Sequence, residues 1–395
     1  MDVKPTGWPL GKKFPCSWHA PIINEVALRE SGHTPDKKIP SYWNGEIKWL
    51  SLADCDRLNK VYIEDTSKTI SDQGLRNSSA RVLPPGVVVL SRDAGVGQSA
   101  ITTCSMAVSQ HFVAWKCLDE LDPKFLYYWL QFIRPEFERV AVGSTIKTIG
   151  LSFFDRMRIP VPPIAFQREA GTVLHQCDTM LSRISDLIGY KKALKLAAMG
   201  KIFVRDKYPS RPLSSFCEEL RDRNNGRLGP DDVMGVVKSI GFQPMRARVR
   251  GKGDLARYLI VPPGAFAYNP MRINIGSIAL NNCGRDVLVS PDYVVFRPVV
   301  GIASTAYVNQ LRYSAIWRRF MRRAGAGSVR VRIYFEDLGR LYLPIPALDV
   351  QEQIATVLGL MDQEITLLED QRENYDLYKR GLMSRLLSGE LTLPL

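Results

Sequence analysis

One short stretch has the residue types of a metal-dependent nuclease. Pro35-Asp36 followed by Glu46-Ile47-Lys48 spells a PD…ExK pattern. In such a pattern two carboxylates hold Mg²⁺ and the lysine stabilises the transition state. A pattern this short arises often by chance. A self-contained nuclease is therefore kept only as an alternative.

A second stretch has part of a methyltransferase catalytic loop. Residues 269–272 read NPMR, whereas such a loop reads (D/N)PP(Y/F), with prolines and an aromatic ring that hold the flipped base. The second proline and the aromatic residue are missing here. The sequence GVG at 95–97 is too short to indicate a cofactor loop. We expect no catalytic residue and no cofactor site in this chain.

The cysteines and histidines indicate no metal site. The seven cysteines are scattered without a CxxC pair, and none of the four histidines has a partner at ligand spacing. No apolar run reaches the roughly 18 residues of a membrane span, and residues 1–20 lack the apolar core of a signal peptide. These features predict reduced thiols and a cytoplasmic protein.

The net charge indicates what kind of partner the chain binds. Its 395 residues include 53 Lys and Arg against 40 Asp and Glu, a formal charge of +13. An excess of this size favours a polyanion, most often nucleic acid. A DNA reader needs cations for the phosphates and planar polar side chains for the base edges.

Two polar loops supply these residue types. In the first, Arg92 follows an apolar run and precedes Gly95 and Gly97, so its loop can approach another surface closely. The second loop carries four candidates before a glycine: Asn269, Met271, Arg272 and Asn274. Arg can pair with guanine and Asn with adenine in the major groove. The alternative is a tight β-turn with solvated polar residues.

Two Gly-Ser segments are the second pair of candidates. The segment at 143–150 reads GSTIKTIG and offers Ser144, Thr145 and Lys147. The segment at 327–332 reads GSVRVR and offers Ser328, Arg330 and Arg332. Small residues beside cations suit a contact with the phosphate backbone. Residues 246–257 and 317–323 add further positive charge, to which no base contact is assigned.

The sequence contains an internal repeat. Residues 158–203 align without a gap to residues 342–387, and Gln167 falls on Gln351. The match extends upstream, where PPG at 84–86 corresponds to PPG at 262–264. HFVAWK at 111–116 likewise corresponds to DYVVFR at 292–297. A duplication of this length predicts two similar halves rather than a solenoid of small units.

Each copy of the repeat contains a long helical pattern. The apolar residues recur in steps of three and four, which is the seam of a coiled coil. The six residues predicted to form this seam are Leu174, Leu181, Ile184, Leu358, Met361 and Ile365. Residues 164–203 carry six basic and three acidic residues, whereas 349–387 carry four basic and eight acidic residues. The two helices are therefore predicted to pack on each other in antiparallel fashion, the alternative being that each covers its own domain.

These elements predict an α+β protein with a pseudo-twofold internal duplication. Two similar domains, at 1–158 and 207–341, would be separated by two long antiparallel coiled-coil helices. The helices lie in a central region at 159–206 and a distal region at 342–395. Residues 207–212, KYPSRP, are predicted to be a linker.

Several motifs together resemble those of the specificity subunits of type I restriction–modification systems. They include the doubled proline segment with its glutamine, SGHTP (31–35) followed by YW (42–43), LSRDAGVG (90–97) and FAYNPMRINIGS (266–277). The resemblance covers nearly the whole chain. It departs in the second half, which lacks an SGGTP-type opening.

The resemblance implies a non-catalytic subunit that reads a bipartite double-stranded DNA target. Two methyltransferase subunits that bind S-adenosylmethionine would methylate adenine. Two motor-nuclease subunits that use ATP and Mg²⁺ would cleave the DNA. One alternative is a recognition subunit of a type II bifunctional restriction–methylation system. A purely structural coiled-coil adaptor would explain the helices but not the matched polar loops.

Overall fold

The chain divides into two units. Unit 1 comprises residues 1–185 and 371–395, and unit 2 comprises residues 186–370. The computed structural model describes residues 14–392 except 16, 144–145, 205–206, 239, 246–251 and 325–331. Over this part of the chain, no helix is long and apolar enough to span a bilayer.

The described residues of unit 1 form two sheets and a set of helices. The elements that begin in unit 1 are α1 (Ile23–Val26), β1 (Ala27–Ser31), β2 (Trp43–Leu50), β3 (Tyr62–Ile63), β4 (Thr69–Ile70), α2 (Asp72–Arg76), β5 (Val82–Leu83), β6 (Val88–Ser91), β7 (Ser99–Thr102), β8 (Met106–Val108), β9 (Phe112–Cys117), α3 (Pro123–Phe132), α4 (Arg134–Val140), α5 (Leu151–Phe154) and α6 (Ile164–Ile202). The larger sheet has the order β1-β9-β6-β7-β3, and the smaller has the order β4-β2-β8-β5. Neighbours are antiparallel except in the pairs β3–β7 and β2–β8.

Strand β6 is buried on both faces, which explains its uninterrupted apolar sequence. Val88 and Leu90 belong to the core cluster that contains α3, whereas Val89 belongs to a second cluster on the other face. Six consecutive residues of α3, from Phe125 to Leu130, are buried in the first cluster. With both faces covered, the loops at the strand ends are the parts of this region free to contact a partner.

In unit 2, the part of the chain that the structure describes forms a four-stranded sheet and three two-stranded sheets. Its further elements are β10 (Ser210–Pro212), β11 (Cys217–Leu220), β12 (Met234–Val237), β13 (Gly241–Pro244), β14 (Leu259–Val261), β15 (Phe266–Tyr268), β16 (Ile278–Leu280), β17 (Val287–Val289), β18 (Val294–Pro298), α7 (Thr305–Leu311), α8 (Ala315–Ala324), α9 (Phe335–Gly339), β19 (Tyr342–Pro344) and α10 (Leu348–Leu387). The four-stranded sheet has the order β11-β18-β15-β16, and the pairs are β10-β19, β12-β13 and β14-β17.

The segments matched in the sequence occupy matching strands. The order β1-β9-β6-β7 in unit 1 parallels β11-β18-β15-β16 in unit 2, and all these neighbours are antiparallel. HFVAWK and DYVVFR form the second strand of each set. The turns before the third strand each contain a left-handed glycine, Gly86 at φ +85° and Gly264 at φ +81°.

The predicted linker at 207–212 is wrong in its second half. Residues 210–212 form strand β10, which pairs with β19 so that Ser210 lies opposite Pro344. Pro212 fits because this pair has no further strand, so a proline can occupy an edge where no amide is required.

The two predicted long helices and the α+β content are confirmed. Helix α6 begins at Ile164 and helix α10 ends at Leu387, each within about one residue of the predicted bound. Of the predicted seam residues, three are buried (Leu174, Leu358 and Ile365) and three are half-buried (Leu181, Ile184 and Met361).

Ion pairs give the direction of the helices. In unit 2, the Nζ of Lys192 lies 2.6 Å from Glu369 and that of Lys195 lies 2.5 Å from Asp362. The later of the two α6 lysines therefore pairs with the earlier of the two α10 acids, so the helices are antiparallel there. In unit 1, the early α6 residue Leu174 shares a core cluster with Leu386 near the end of α10.

The repeated glutamine makes equivalent hydrogen bonds in both units. In unit 1, the Gln167 Oε1 accepts from the Asp122 amide at 2.9 Å, and its Nε2 donates to the carbonyls of Glu120 and Pro162. In unit 2, the Gln351 Oε1 accepts from the Ser304 amide at 2.9 Å, and its Nε2 donates to two carbonyls. Both glutamines are fully buried. Each one fixes a long helix to the loop that precedes α3 or α7.

Replacing Gln351 with Ala should destabilise unit 2. The substitution leaves the Ser304 amide and two carbonyls without this partner, which should lower the free energy of unfolding by about 1–3 kcal/mol. Urea unfolding of the full chain measures this loss, and hydrogen exchange should show a less protected Ser304 amide. The control is Gln353→Ala on the exposed side of the same helix. Equal effects of the two substitutions would show that the hydrogen bonds of Gln351 do not stabilise unit 2.

Candidate DNA interface

The first predicted loop, between β6 and β7, is a tight turn. The Gly97 amide donates to the Ser91 carbonyl at 3.0 Å, and the Gln98 amide donates to the Gly95 carbonyl. Gly97 has φ +81°, and a Cβ there would lie 2.8 Å from the Cγ of Arg134. A glycine is therefore required at 97 for two reasons, backbone conformation and close approach.

Arg92 is less accessible than the sequence suggested. Its side chain is 19% exposed, and its Nε lies 3.6 Å from the Asp93 Oδ1. The other oxygen of Asp93 lies 2.6 Å from the His111 Nδ1. Asp93 and His111, which sequence reasoning missed, thus flank the predicted contact residue. Asp93 directly follows Arg92 in the sequence, but the position of His111 could not be deduced locally.

The structure brings the first loop together with the segment that contains Lys147. The Ile149 amide donates to the Arg92 carbonyl at 2.9 Å, and Asp93 forms a β-bridge with Thr148. Lys147 is exposed beside this junction. The other two candidates of this segment, Ser144 and Thr145, lie outside the described residues. Two separate sequence candidates therefore form one surface in unit 1.

In the second predicted loop, in unit 2, one polar side chain makes a hydrogen bond within the loop itself. The Asn269 side-chain oxygen accepts from the Met271 amide at 2.9 Å, which makes Asn269 a turn residue. Met271, Arg272 and Asn274 are exposed. A left-handed Gly276 at φ +96° ends the turn. Three of the four predicted contact residues are thus available to a ligand.

The second loop is likewise hydrogen-bonded to the residue that directly follows the second Gly-Ser segment. The Ile333 amide donates to the Pro270 carbonyl at 3.1 Å, which places the exposed Arg332 next to the loop. Ser328 and Arg330 lie outside the described residues. Each unit therefore presents a polar loop hydrogen-bonded to a second candidate segment.

Two residues of the nuclease-like pattern, Asp36 and Lys48, make other contacts. The Asp36 carboxylate accepts from the Lys38 amide, and the Lys48 ammonium donates to the Glu64 carbonyl at 2.5 Å. Within the described residues, no group of three or more His, Cys, Asp or Glu side chains could hold a metal ion.

Several buried groups have shifted pKa values with structural causes. Burial raises the pKa of the Cys117 thiol to about 12 and also raises the pKa of Cys217. Burial and the neighbouring Asp178 carboxylate raise the pKa of Tyr128, so its hydroxyl stays protonated and donates to Asp178. These shifts move the thiols away from the reactive thiolate form.

Residues 17–188 match the family model described as type I restriction modification DNA specificity domain. The matched residues make up less than half of the chain. The predicted resemblance to type I specificity subunits is thereby confirmed.

Two relatives come from Methanocaldococcus jannaschii. The type I restriction enzyme MjaIX specificity subunit is 26% identical over 171 residues, which is 43% of this chain but only 40% of the relative. The MjaVIII specificity subunit is 19% identical over 315 residues, covering 69% of this chain and 71% of the relative.

Two solved structures share the fold over almost the whole chain. The type I S subunit from M. genitalium has a TM-score of 0.58 at 14% identity, covering 97% of this chain and 98% of its own. A chain of a type I R-M system has a TM-score of 0.59 at 14% identity, with coverages of 96% and 100%. At this identity the likeness supports the fold alone.

Replacing Gly97 with Ala should destabilise unit 1 more than replacing Gly86 with Ala. Both glycines have positive φ, so each substitution costs about 1–2 kcal/mol in backbone strain. Only Gly97 also approaches the side chains of Arg134 and Phe137, since Gly86 has open space around it. The additional crowding should cost about 1–3 kcal/mol more. Urea unfolding compares the two variants, and equal losses would show that the contact with Arg134 relaxes freely.

Proposed function

We propose that this chain is the DNA-recognition subunit of a type I restriction–modification complex. It reads a bipartite target and directs adenine methylation and DNA restriction by partner subunits, while catalysing neither reaction itself. The family match over residues 17–188 and the names of the relatives support this assignment. The formal charge of +13 is consistent with a DNA ligand.

The proposal that the target is bipartite rests on a hydrogen-bonded junction that is present in each unit. In unit 1 the loop at Arg92 is hydrogen-bonded to the segment of Lys147, and in unit 2 the loop at Pro270 is hydrogen-bonded to the segment of Arg332. Two polar surfaces of matching construction support two readers, each for its own half-site. We therefore assign the target-recognition domains to residues 1–158 and 207–341, related by an internal duplication, with the helical regions at 159–206 and 342–395.

The long helices offer a surface for the methyltransferase subunits. In unit 2, the α10 residues Val357, Leu360 and Leu367 are all more than half exposed. They recur in steps of three and seven, so they form a second apolar stripe beside the seam with α6. The α6 residues Leu187, Tyr190 and Leu194 are also exposed. Exposed apolar stripes on helices of this kind indicate a helical partner.

The proposed partners would supply the cofactors. Two methyltransferase subunits would bind S-adenosylmethionine, and two motor-nuclease subunits would bind ATP and Mg²⁺. The chain itself would hold none of these.

Single arginine substitutions test whether the two units read separate half-sites. Arg92→Ala should relax base discrimination only at the half-site read by unit 1, and Arg272→Ala only at the other. Loss of a bidentate base contact costs about 1–3 kcal/mol, which is roughly a 5- to 150-fold change in preference. Binding selection on a randomised DNA pool reports all positions at once. The control is Arg139→Ala, which removes an exposed arginine paired with Glu136. If the Arg92 and Arg272 variants changed the same bases, the two-reader proposal would fail.

Charges placed on the apolar stripe test the partner surface. Val357→Glu together with Leu360→Glu should weaken association with the methyltransferase by about 100-fold or more, since two apolar contacts are lost and two charges would have to be buried. Co-purification from cells that express both proteins measures the effect. The control is Thr366→Glu with Leu377→Glu, which adds the same charge to exposed positions on another side of α10. Equal co-purification of both variants would exclude this stripe as the interface.

A further inference from the structure

Helix α8 in unit 2 has one apolar and one cationic face. Trp317 and Met321 are buried in the core of unit 2. Arg318, Arg319 and Arg322 are exposed. Their spacing of three and four residues places these arginines on one side of the helix. The core thus fixes the orientation of the arginine face.

This arginine face forms one wall of a groove of about 930 Å³. The groove is also lined by Lys238 and by the loop that contains Asn274, one of the predicted DNA contacts. Gly276, at φ +96°, brings that loop close to Lys238, since a Cβ at 276 would lie 3.5 Å from the lysine Cγ. We call this the arginine groove. It is continuous with the loop already assigned to base reading.

The arginine groove concentrates positive charge without compensation. Among the described residues, five cations line it (Lys238, Arg312, Arg318, Arg319 and Arg322), and no Asp or Glu does. Within the described part of the chain, no salt bridge involves Arg318, Arg319 or Arg322. Elsewhere in unit 2, exposed arginines such as Arg221, Arg227 and Arg297 are each paired with a carboxylate. Clustered cations repel one another, so a polyanion in the groove would be stabilising.

Arg312 has a structural role at the base of the arginine groove. Its Nε donates to the Asn309 side chain at 2.9 Å, and one terminal nitrogen donates to the Ile278 carbonyl at 2.9 Å. Its guanidinium also stacks on the Tyr313 ring at 4.3 Å. Arg312 contributes charge, but its hydrogen-bond donors are largely occupied. Contacts with a ligand are therefore expected from the arginines of α8.

We propose that the arginine groove binds the phosphodiester backbone of the duplex whose bases the loop at 269–276 reads. The proposal rests on the proposed function and adds Lys238, Arg318, Arg319 and Arg322 to the contact surface. Exposed arginines clustered on one face of a helix suit contacts with phosphates. Their contribution is therefore to affinity and register, whereas Arg272 and Asn274 contribute to base choice.

The test compares the salt dependence of DNA binding. In the full-length chain, Arg318, Arg319 and Arg322 are all replaced by Gln, which keeps length and helix propensity but removes three charges. Each lost phosphate contact lowers the slope of log K against log salt by about 0.9, so the slope should fall by about 2.7 units. Between 50 and 200 mM salt, the wild-type affinity should then fall about 40-fold more than that of the variant. Base preferences in a randomised pool should stay unchanged.

Two further variants distinguish an effect of the groove from effects of net charge and of misfolding. Replacing Arg221, Arg227 and Arg297 with Gln removes the same charge from unit 2 at ion-paired positions, and the slope should then change by less than about one unit. Replacing Arg318, Arg319 and Arg322 with Lys should restore the wild-type slope, since charge is kept. Thermal unfolding midpoints confirm that each protein is folded.

The outcomes are distinct. Equal slopes for the groove variant and the ion-paired control would overturn the proposal. A changed base preference at the second half-site with an unchanged slope would also overturn it, because the arginines would then read bases. If the wild-type chain bound DNA without any sequence preference, the proposed function would fail, while the slopes would still decide whether the groove binds phosphates.

Discussion

A shared carboxylate in each unit joins three elements that are far apart in sequence. In unit 1, Asp178 on α6 accepts from the Tyr128 hydroxyl on α3 at 2.7 Å and from the Lys379 ammonium on α10. In unit 2, Asp362 on α10 accepts from Gln310 on α7 at 2.8 Å and from Lys195 on α6 at 2.5 Å. Hydrogen bonds to a charged group contribute about 1.5–3 kcal/mol each. This joint ties the helix pair to the sheet-covering helix within each unit.

The carboxylate joint acts together with the buried glutamine on the same helix. Gln167 and Gln351 bond to backbone at the N-terminal side of α3 and α7, and the aspartates bond to side chains further along those helices. Two attachment points fix both position and rotation, which one point could not do. Because α3 in turn covers the sheet, the orientation of the loop after β6 depends on this chain of contacts. The proposed reading of DNA would need this rigidity, since base contacts tolerate little displacement.

The charges of the chain are distributed according to role. On the long helices, three lysines of α6 pair with acids of α10, and Lys379 of α10 pairs with Asp178 of α6. In the arginine groove the charges are not balanced by any lining acid. Paired charges on a surface contribute little to stability and much to register. Unbalanced ones in a groove attract a polyanion, so the total of +13 alone conceals two different uses of charge.

The sequence by itself determined the two long helices and the repeat. Heptad spacing is a local property, so α6 and α10 could be located to within about one residue. The doubled glutamine can likewise be recognised from the sequence, because it requires only an alignment of the two halves. The polar loops could be located as well, because they follow apolar strands and contain glycines.

The tertiary structure decided which of those polar residues are available. Asn269 uses its oxygen in its own turn, and Arg92 lies beside Asp93 and His111, a partner 18 residues from the aspartate. Residues 210–212 became a strand because β19 supplies a partner more than a hundred residues away. The arginine groove unites Lys238, Asn274 and α8, which no local pattern connects. Burial and pairing depend on contacts between distant segments, and such contacts exist only once the chain has folded.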